Sequence, residues 1–85
     1  MKSARELFEE LGYEECEDVI GNMMFVKHFT TTNGKYIKFC KHIEMFEVFF
    51  KETFGRCNIE PTTVSMQELQ AINQMAKELG WVDEK

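Results

Sequence analysis

The sequence holds one proline, five glycines and a single tryptophan in 85 residues, and its apolar runs are short. With so few helix breakers, most of the chain is free to form regular structure. Uninterrupted apolar runs stop at four residues, as at Met23-Met24-Phe25-Val26. A membrane-spanning helix needs roughly 20, so such a span is excluded. Basic residues are outnumbered: ten Lys and Arg stand against fifteen Asp and Glu, for a net charge of −5. That balance argues against general duplex-DNA binding and against docking on an anionic membrane surface. The three cysteines, Cys16, Cys40 and Cys57, are odd in number and widely spaced. They form no disulfide framework and fit a reducing compartment. The start of the chain shows no basic residues followed by an apolar stretch and a small-residue cleavage site. The expectation is a cytoplasmic protein.

What the chain does have is core-forming material. Hydrophobic residues make up 44% and aromatics 13%, including eight Phe. Large aromatic side chains bury much surface per residue. The length suits one domain, residues 1–85, with one core.

The two ends are the most patterned segments. Ser3-Ala4-Arg5-Glu6 and Ser65-Met66-Gln67-Glu68 are both capping boxes, in which the serine hydroxyl and the glutamate three residues on satisfy each other's backbone N–H. Ala4, Leu7, Phe8 and Leu11 recur at helical spacing in the first, and Leu69, Ile72, Met75, Ala76 and Leu79 in the second. Gly12-Tyr13 and Gly80-Trp81 then supply a left-handed stop followed by a residue able to fold back. Leu69, Ile72, Ala76 and Leu79 also have the three-and-four spacing of a coiled-coil seam, so the expected state is a monomer or weak homodimer.

Between the helices the period changes to two. Phe25, Lys27 and Phe29 alternate with Met24, Val26 and His28 in a first strand. Thr30 to Thr32 and Asn33-Gly34 predict the turn, and Tyr36, Lys38, Cys40 and His42 alternate with Ile37, Phe39 and Lys41 in a second strand. Met45 to Lys51 predicts a third strand, although Ile43, Phe46, Phe50 and Phe54 also fit a helical stripe. Residues 55 to 63, with Gly55, Asn58 and Pro61, read as a connector or short edge strand. The expected fold class is α+β, two layers in α-β-β-β-α order, with both helices on one face of a three-stranded antiparallel sheet.

The terminal segments, Ala4 to Tyr13 and Met66 to Gln74 with Glu78-Leu79-Gly80-Trp81, resemble small phage and prophage proteins of low-GC Gram-positive bacteria. The resemblance implies an accessory protein in a bacterial host cell. It brings no catalytic residues with it.

Chemistry-bearing residues are few. Cys40 and His42 at i and i+2 would share a strand face and could form half a zinc site. No Cys-x-x-Cys or His-x-x-x-His pair completes it, and no metal or cofactor is expected. Nucleophile-elbow, phosphate-loop and dinucleotide motifs are absent from the sequence, so no enzymatic activity is expected. Glu14, Glu15, Glu17 and Asp18 lack the ligand order of a calcium loop and read as a solvated turn, or as an acidic contact surface for a basic partner.

Charge is segregated along the chain. Residues 1–18 carry −5, residues 19–58 carry +3 and residues 59–85 carry −3. Lys27, Lys35, Lys38 and Lys41 make the central segment basic, and Tyr36, Lys38 and His42 would share a sheet face. Two functions follow. The first is a non-enzymatic protein that binds a host or phage protein, as an inhibitor of a host nuclease or defence complex. Its contacts would be Glu14, Glu15, Glu17, Asp18, Tyr36, Lys38 and His42. The alternative is binding of single-stranded RNA or DNA through the basic aromatic hairpin.

Overall fold

A computed structural model of the chain describes residues 2–52 and 58–81. The elements run α1 (Ala4–Glu10), β1 (Glu14–Glu17), β2 (Met23–His28), β3 (Asn33–Cys40), β4 (Met45–Glu52), β5 (Asn58–Pro61) and α2 (Met66–Glu78). The strands form one antiparallel sheet in the order β1-β2-β3-β4-β5. The class is α+β, but the sheet has five strands where the sequence predicted three. The α-β-β-β-α order is replaced by α followed by five strands and α.

The two added strands are the sheet edges: β5 falls in the segment read as a connector or short edge strand, and β1 is the strand that the pattern missed. An edge strand has a neighbour on one side only, and its backbone bonds do not require apolar side chains. Glu14-Glu15-Cys16-Glu17, expected as a solvated turn, pairs with Val26 through Met23. Its carboxylates discourage further strand addition. Asn58–Pro61 pairs with Glu52 through Phe49 and ends in proline, which suits an outermost strand. Met45–Glu52 is a strand, so Val48 and the flanking Phe residues outweigh the helical stripe; Phe54, Gly55 and Cys57 lie outside the described residues.

The β2–β3 turn also differs from expectation. Asn33 and Gly34 already belong to β3, and the loop is Phe29 to Thr32. The Thr30 hydroxyl accepts from the backbone N–H of Thr32 and of Asn33, both at 3.2 Å, and so forms the turn. Gly34 is needed for a different reason: a Cβ there would stand 3.0 Å from the Lys27 carbonyl oxygen. The β3–β4 turn has its left-handed residue at Glu44, φ 51°.

Directly opposed residues in an antiparallel ladder share a face. Met23, Phe25 and Lys27 lie opposite Phe39, Ile37 and Lys35, which lie opposite Phe46, Val48 and Phe50. This face takes both helices. Phe8 of α1 stacks on Phe25 at 4.1 Å between ring centroids, and meets Phe39 and Tyr13 edge-on at 6.2 and 5.7 Å. Ala4, Ile37, Ala71, Ile72 and Met75 close the core. Full burial of each such large apolar side chain contributes about 1.5–3 kcal/mol.

Polar ties lock the two ends of the helix pair. Both capping boxes are formed. Glu78 accepts from the Ala4 backbone N–H at 2.8 Å, so the end of α2 caps the start of α1. At the other end Tyr13 donates to Glu68, in the first turn of α2. The helices therefore run antiparallel. Glu68 also accepts from Lys35 Nζ at 2.7 Å and from Ser65 N–H at 2.8 Å. This buried knot ties both helices to β3. Burial works against the charged carboxylate, but the bonds from Lys35, Ser65 and Tyr13 outweigh it and hold Glu68 down at about 2. The Tyr13 hydroxyl is driven well above its ordinary value, by burial first and then by the bonded carboxylate.

Candidate functional site: a braced apolar hairpin tip on an acidic edge

The sequence Asp18-Val19-Ile20-Gly21-Asn22 joins β1 to β2. Asp18 N–H donates to the Asn22 carbonyl at 3.0 Å, and Gly21 N–H donates to the Asp18 carbonyl at 3.1 Å. Gly21 takes φ 89°, the left-handed conformation that closes a three-residue hairpin loop. Aspartate is favoured at the first position of such a turn because its carboxylate can gather the loop's N–H groups. Here Asp18 Oδ1 accepts from Ile20 N–H at 3.0 Å and Asn22 N–H at 2.8 Å. Its Oδ2 accepts from the Asn22 side-chain amide at 3.0 Å and pairs with Lys38 Nζ at 3.2 Å. Partial desolvation opposes the charge, yet these bonds outweigh it and hold the carboxyl at about 2. Lys38 is pushed up in turn, chiefly by its bond to Asp18.

This bracing displays two residues that turns seldom carry. Val19 is fully exposed and Ile20 is 69% exposed, at the centre of the turn. Glycine, proline, asparagine, aspartate and serine dominate turn centres because each satisfies turn geometry locally. β-Branched apolar residues bring nothing to the turn and lose solvation there. Their stiff χ1 does make them rigid anchors with little rotamer entropy to lose on burial.

The β1 carboxylates are unevenly placed: Glu17 adjoins the tip on the helix face, and Glu14 lies at the far end of the strand on the opposite face. Glu14 and Glu17 are exposed on β1, and Glu9 and Glu10 on α1, where Glu10 pairs with Lys2. Glu15 is occupied by Arg5, Nε to Oε1 at 2.7 Å, which fastens β1 to α1 and raises the Arg5 pKa. Thus Glu14 and Glu17 keep carboxylates directed at solvent, while Glu15 and Asp18 serve structure.

The second group of sequence candidates sits on the sheet face turned away from the helices. Tyr36, Lys38 and Cys40 do share that face, with Met24, Val26, Met45 and Phe49. His42 does not join them: β3 ends at Cys40, and His42 is exposed in the β3–β4 turn. Tyr36 stacks on Phe49 at 5.3 Å with planes 3° apart, and Lys51 Nζ stands 6.0 Å from its ring centroid. Both partners come from β4, so Phe49 and Lys51 engage the ring from that side, which reduces the aromatic surface a base-stacking platform needs. The lysines divide likewise. Lys27 and Lys35 lie on the helix face, and Lys35 is paired with Glu68 while Lys38 is paired with Asp18.

Family models, curated proteins and solved structures were all compared with the chain, and none matches.

Cys16 is half-buried on β1, and its thiol is pushed up by burial and by the neighbouring Glu15 and Glu14 charges, which disfavours the nucleophilic thiolate. Among the described residues, no three His, Cys, Asp or Glu side chains gather as a metal site. Among them, too, no helix is long and apolar enough to cross a membrane.

The acidic half of the site was legible as charge. The apolar half was not, because Val19 and Ile20 belong to no helical stripe or alternating segment of the sequence. The usable signal was their position between Asp18 and Gly21-Asn22, which are turn residues.

Proposed function

We propose that this chain is a non-enzymatic protein-binding domain that docks a basic partner through the β1–β2 tip. The observation that carries the reading is the exposure of Val19 and Ile20 on a turn held by four bonds to the Asp18 carboxylate. Such side chains offer a partner burial, and a pre-ordered loop loses little entropy on binding. Glu17 beside the tip, with Glu14 farther along the same strand, favours a partner whose pocket is rimmed by Lys or Arg, and like-charge repulsion disfavours acidic ones. The same carboxylates disfavour insertion into an anionic bilayer. The resemblance of the terminal helices to phage proteins supports a partner in a bacterial host. A basic surface that normally binds nucleic acid, on a nuclease or defence complex, fits this chemistry, and occupying it would inhibit.

The test is affinity capture from a Gram-positive host lysate with the wild type and two double variants, V19S/I20S and E14K/E17K. One protein should be retained by the wild type, lost with V19S/I20S, and weakened by E14K/E17K and by raised salt. Equal retention by wild type and V19S/I20S refutes the reading.

A further inference from the structure

We infer that the helix layer has an open third position, beside α2 and over β4 and β5, which takes an amphipathic helix with a basic flank from a partner. Strands stand about 4.8 Å apart and packed helices about 8–10 Å apart, so one helix takes the width of two strands. α1 sits on β1 and β2, through Arg5 to Glu15 and Phe8 on Phe25. α2 is tied to β3 by the pair of Glu68 and Lys35. Strands β4 and β5 come next in the sheet and offer the width of one more helix.

A groove of about 500 Å³ opens at that place, lined by Met66, Leu69, Asn73 and Ala76 of α2 and by Phe46 and Trp81. Leu69, predicted for the core stripe, is 44% exposed and faces the groove, as is Phe46. Phe46, Val48 and Phe50 fall on the helix face of β4 at every second residue. From Phe46 to Phe50 is about 14 Å of strand, the length of about nine helical residues. Met66 to Ala76 runs about as far along α2. An apolar groove of this length suits a helix that inserts side chains at i, i+3 or i+4, and i+7.

Charge selects the occupant. The strand side carries carboxylates: Glu44 at one end, and Glu52 and Glu60 on the helix face beside Phe50 at the other. Lys35, opposite Phe50 on that face, is already paired with Glu68. α2 contributes the amides Gln70 and Asn73 and one cation, Lys77. A helix with Lys or Arg along the flank facing the strands is therefore attracted, and an acidic one is repelled. A second copy of this chain does not supply that flank. α1 has Arg5 against Glu6, Glu9 and Glu10, and α2 has Lys77 against Glu68 and Glu78.

The test uses two synthetic peptides of about 18 residues, long enough to hold a helix. Both carry leucines at that spacing on an Ala and Gln background without tryptophan; one has Lys along a single flank, its twin Glu. Trp81, the single tryptophan of the chain, lines the groove and reports occupancy by its fluorescence. The basic peptide should saturate with a Kd of about 10–500 μM, in keeping with a small surface, and the Glu twin should bind at least tenfold more weakly. Reversing the exposed rim charges with E44K/E60K should exchange the order of the two peptides. The variant L69D should weaken the basic peptide at least tenfold while melting close to wild type, since Leu69 is outside the core cluster. The charge reversal stands as a test whatever L69D does to the fold. On binding, NMR amide signals of residues 44–50 and 66–76 should move, leaving those of the tip, 18–22, in place. No Trp81 response to about 1 mM basic peptide overturns the inference, as does equal binding of the twins or amide shifts confined to the tip.

Discussion

Replacing Glu68 by Gln should be the most damaging single change that alters almost no volume. Glutamine has one acceptor oxygen, so it can keep the Ser65 N–H bond while its amide turns an N–H toward Tyr13, whose hydroxyl must then accept; the substitution removes the charge and reverses one bond. The side chains of Lys35 and Glu68 are only 12% and 11% exposed, so the variant leaves an ammonium half out of water without its counterion. The Glu68 carboxyl is held at about 2 against an ordinary 4.5. At 1.36 kcal/mol for each unit, that difference is worth about 3 kcal/mol of stability at neutral pH. In a domain of this size, such a loss lowers the melting temperature by about 10–20 °C. The pH dependence has a definite sign. The folded state binds this proton more weakly than the unfolded chain, so the contribution is complete above about pH 5 and disappears as pH falls toward 2. Urea unfolding of wild type and E68Q between pH 2.5 and 7 reads both effects. The stability gap should be widest at pH 7 and close on acidification. A gap below about 0.5 kcal/mol at pH 7, or one that does not change with pH, would refute the account of the knot.

Other perturbations probe separate parts of the fold. Tyr13 is driven up from 10.0, so wild-type stability should decline as pH rises above about 10, and unfolding of Y13F should lack that alkaline limb. The variant G34A should cost about 1–3 kcal/mol in denaturant melts, because the new Cβ meets the Lys27 carbonyl, which cannot swing aside. Glu44 occupies the left-handed region, so E44G should unfold at equal or higher denaturant concentration, by up to about 1 kcal/mol. With Asp18→Ala, hydrogen exchange at Ile20 and Asn22 should accelerate at least tenfold while exchange in β3 is unchanged; uniform protection would show that the carboxylate does not brace the tip.

What the sequence made legible follows physical range. The helices were readable because a capping box and a glycine stop act within five residues, and both appear as the residues predict. Strands β2, β3 and β4 were readable because each alternates between a covered and an open face. β1 was not, and β5 was only one of two readings, since Glu14–Glu17 and Asn58–Pro61 hold their places by backbone pairing at the edges, which leaves no apolar period. Asn33-Gly34 misled because a turn preference is weaker than the close approach that Gly34 permits across the ladder. Leu69 misled because a three-and-four spacing marks an apolar side of a helix without saying whether the core or a groove receives it. At the site, charge marked Glu14 and Glu17 correctly as exposed, but the burdens carried by Glu15 and Asp18 depend on Arg5 and Lys38, which only the fold brings near.

The most direct test of the central claim is calorimetric titration of the captured partner with wild type and V19S/I20S at two salt concentrations. If the braced tip is the anchor, the variant melts with the wild type yet binds at least thirtyfold more weakly, as for a central hot spot, while added salt weakens wild-type binding through the acidic rim. If the variant binds within twofold of wild type, the partner is held elsewhere and the claim fails.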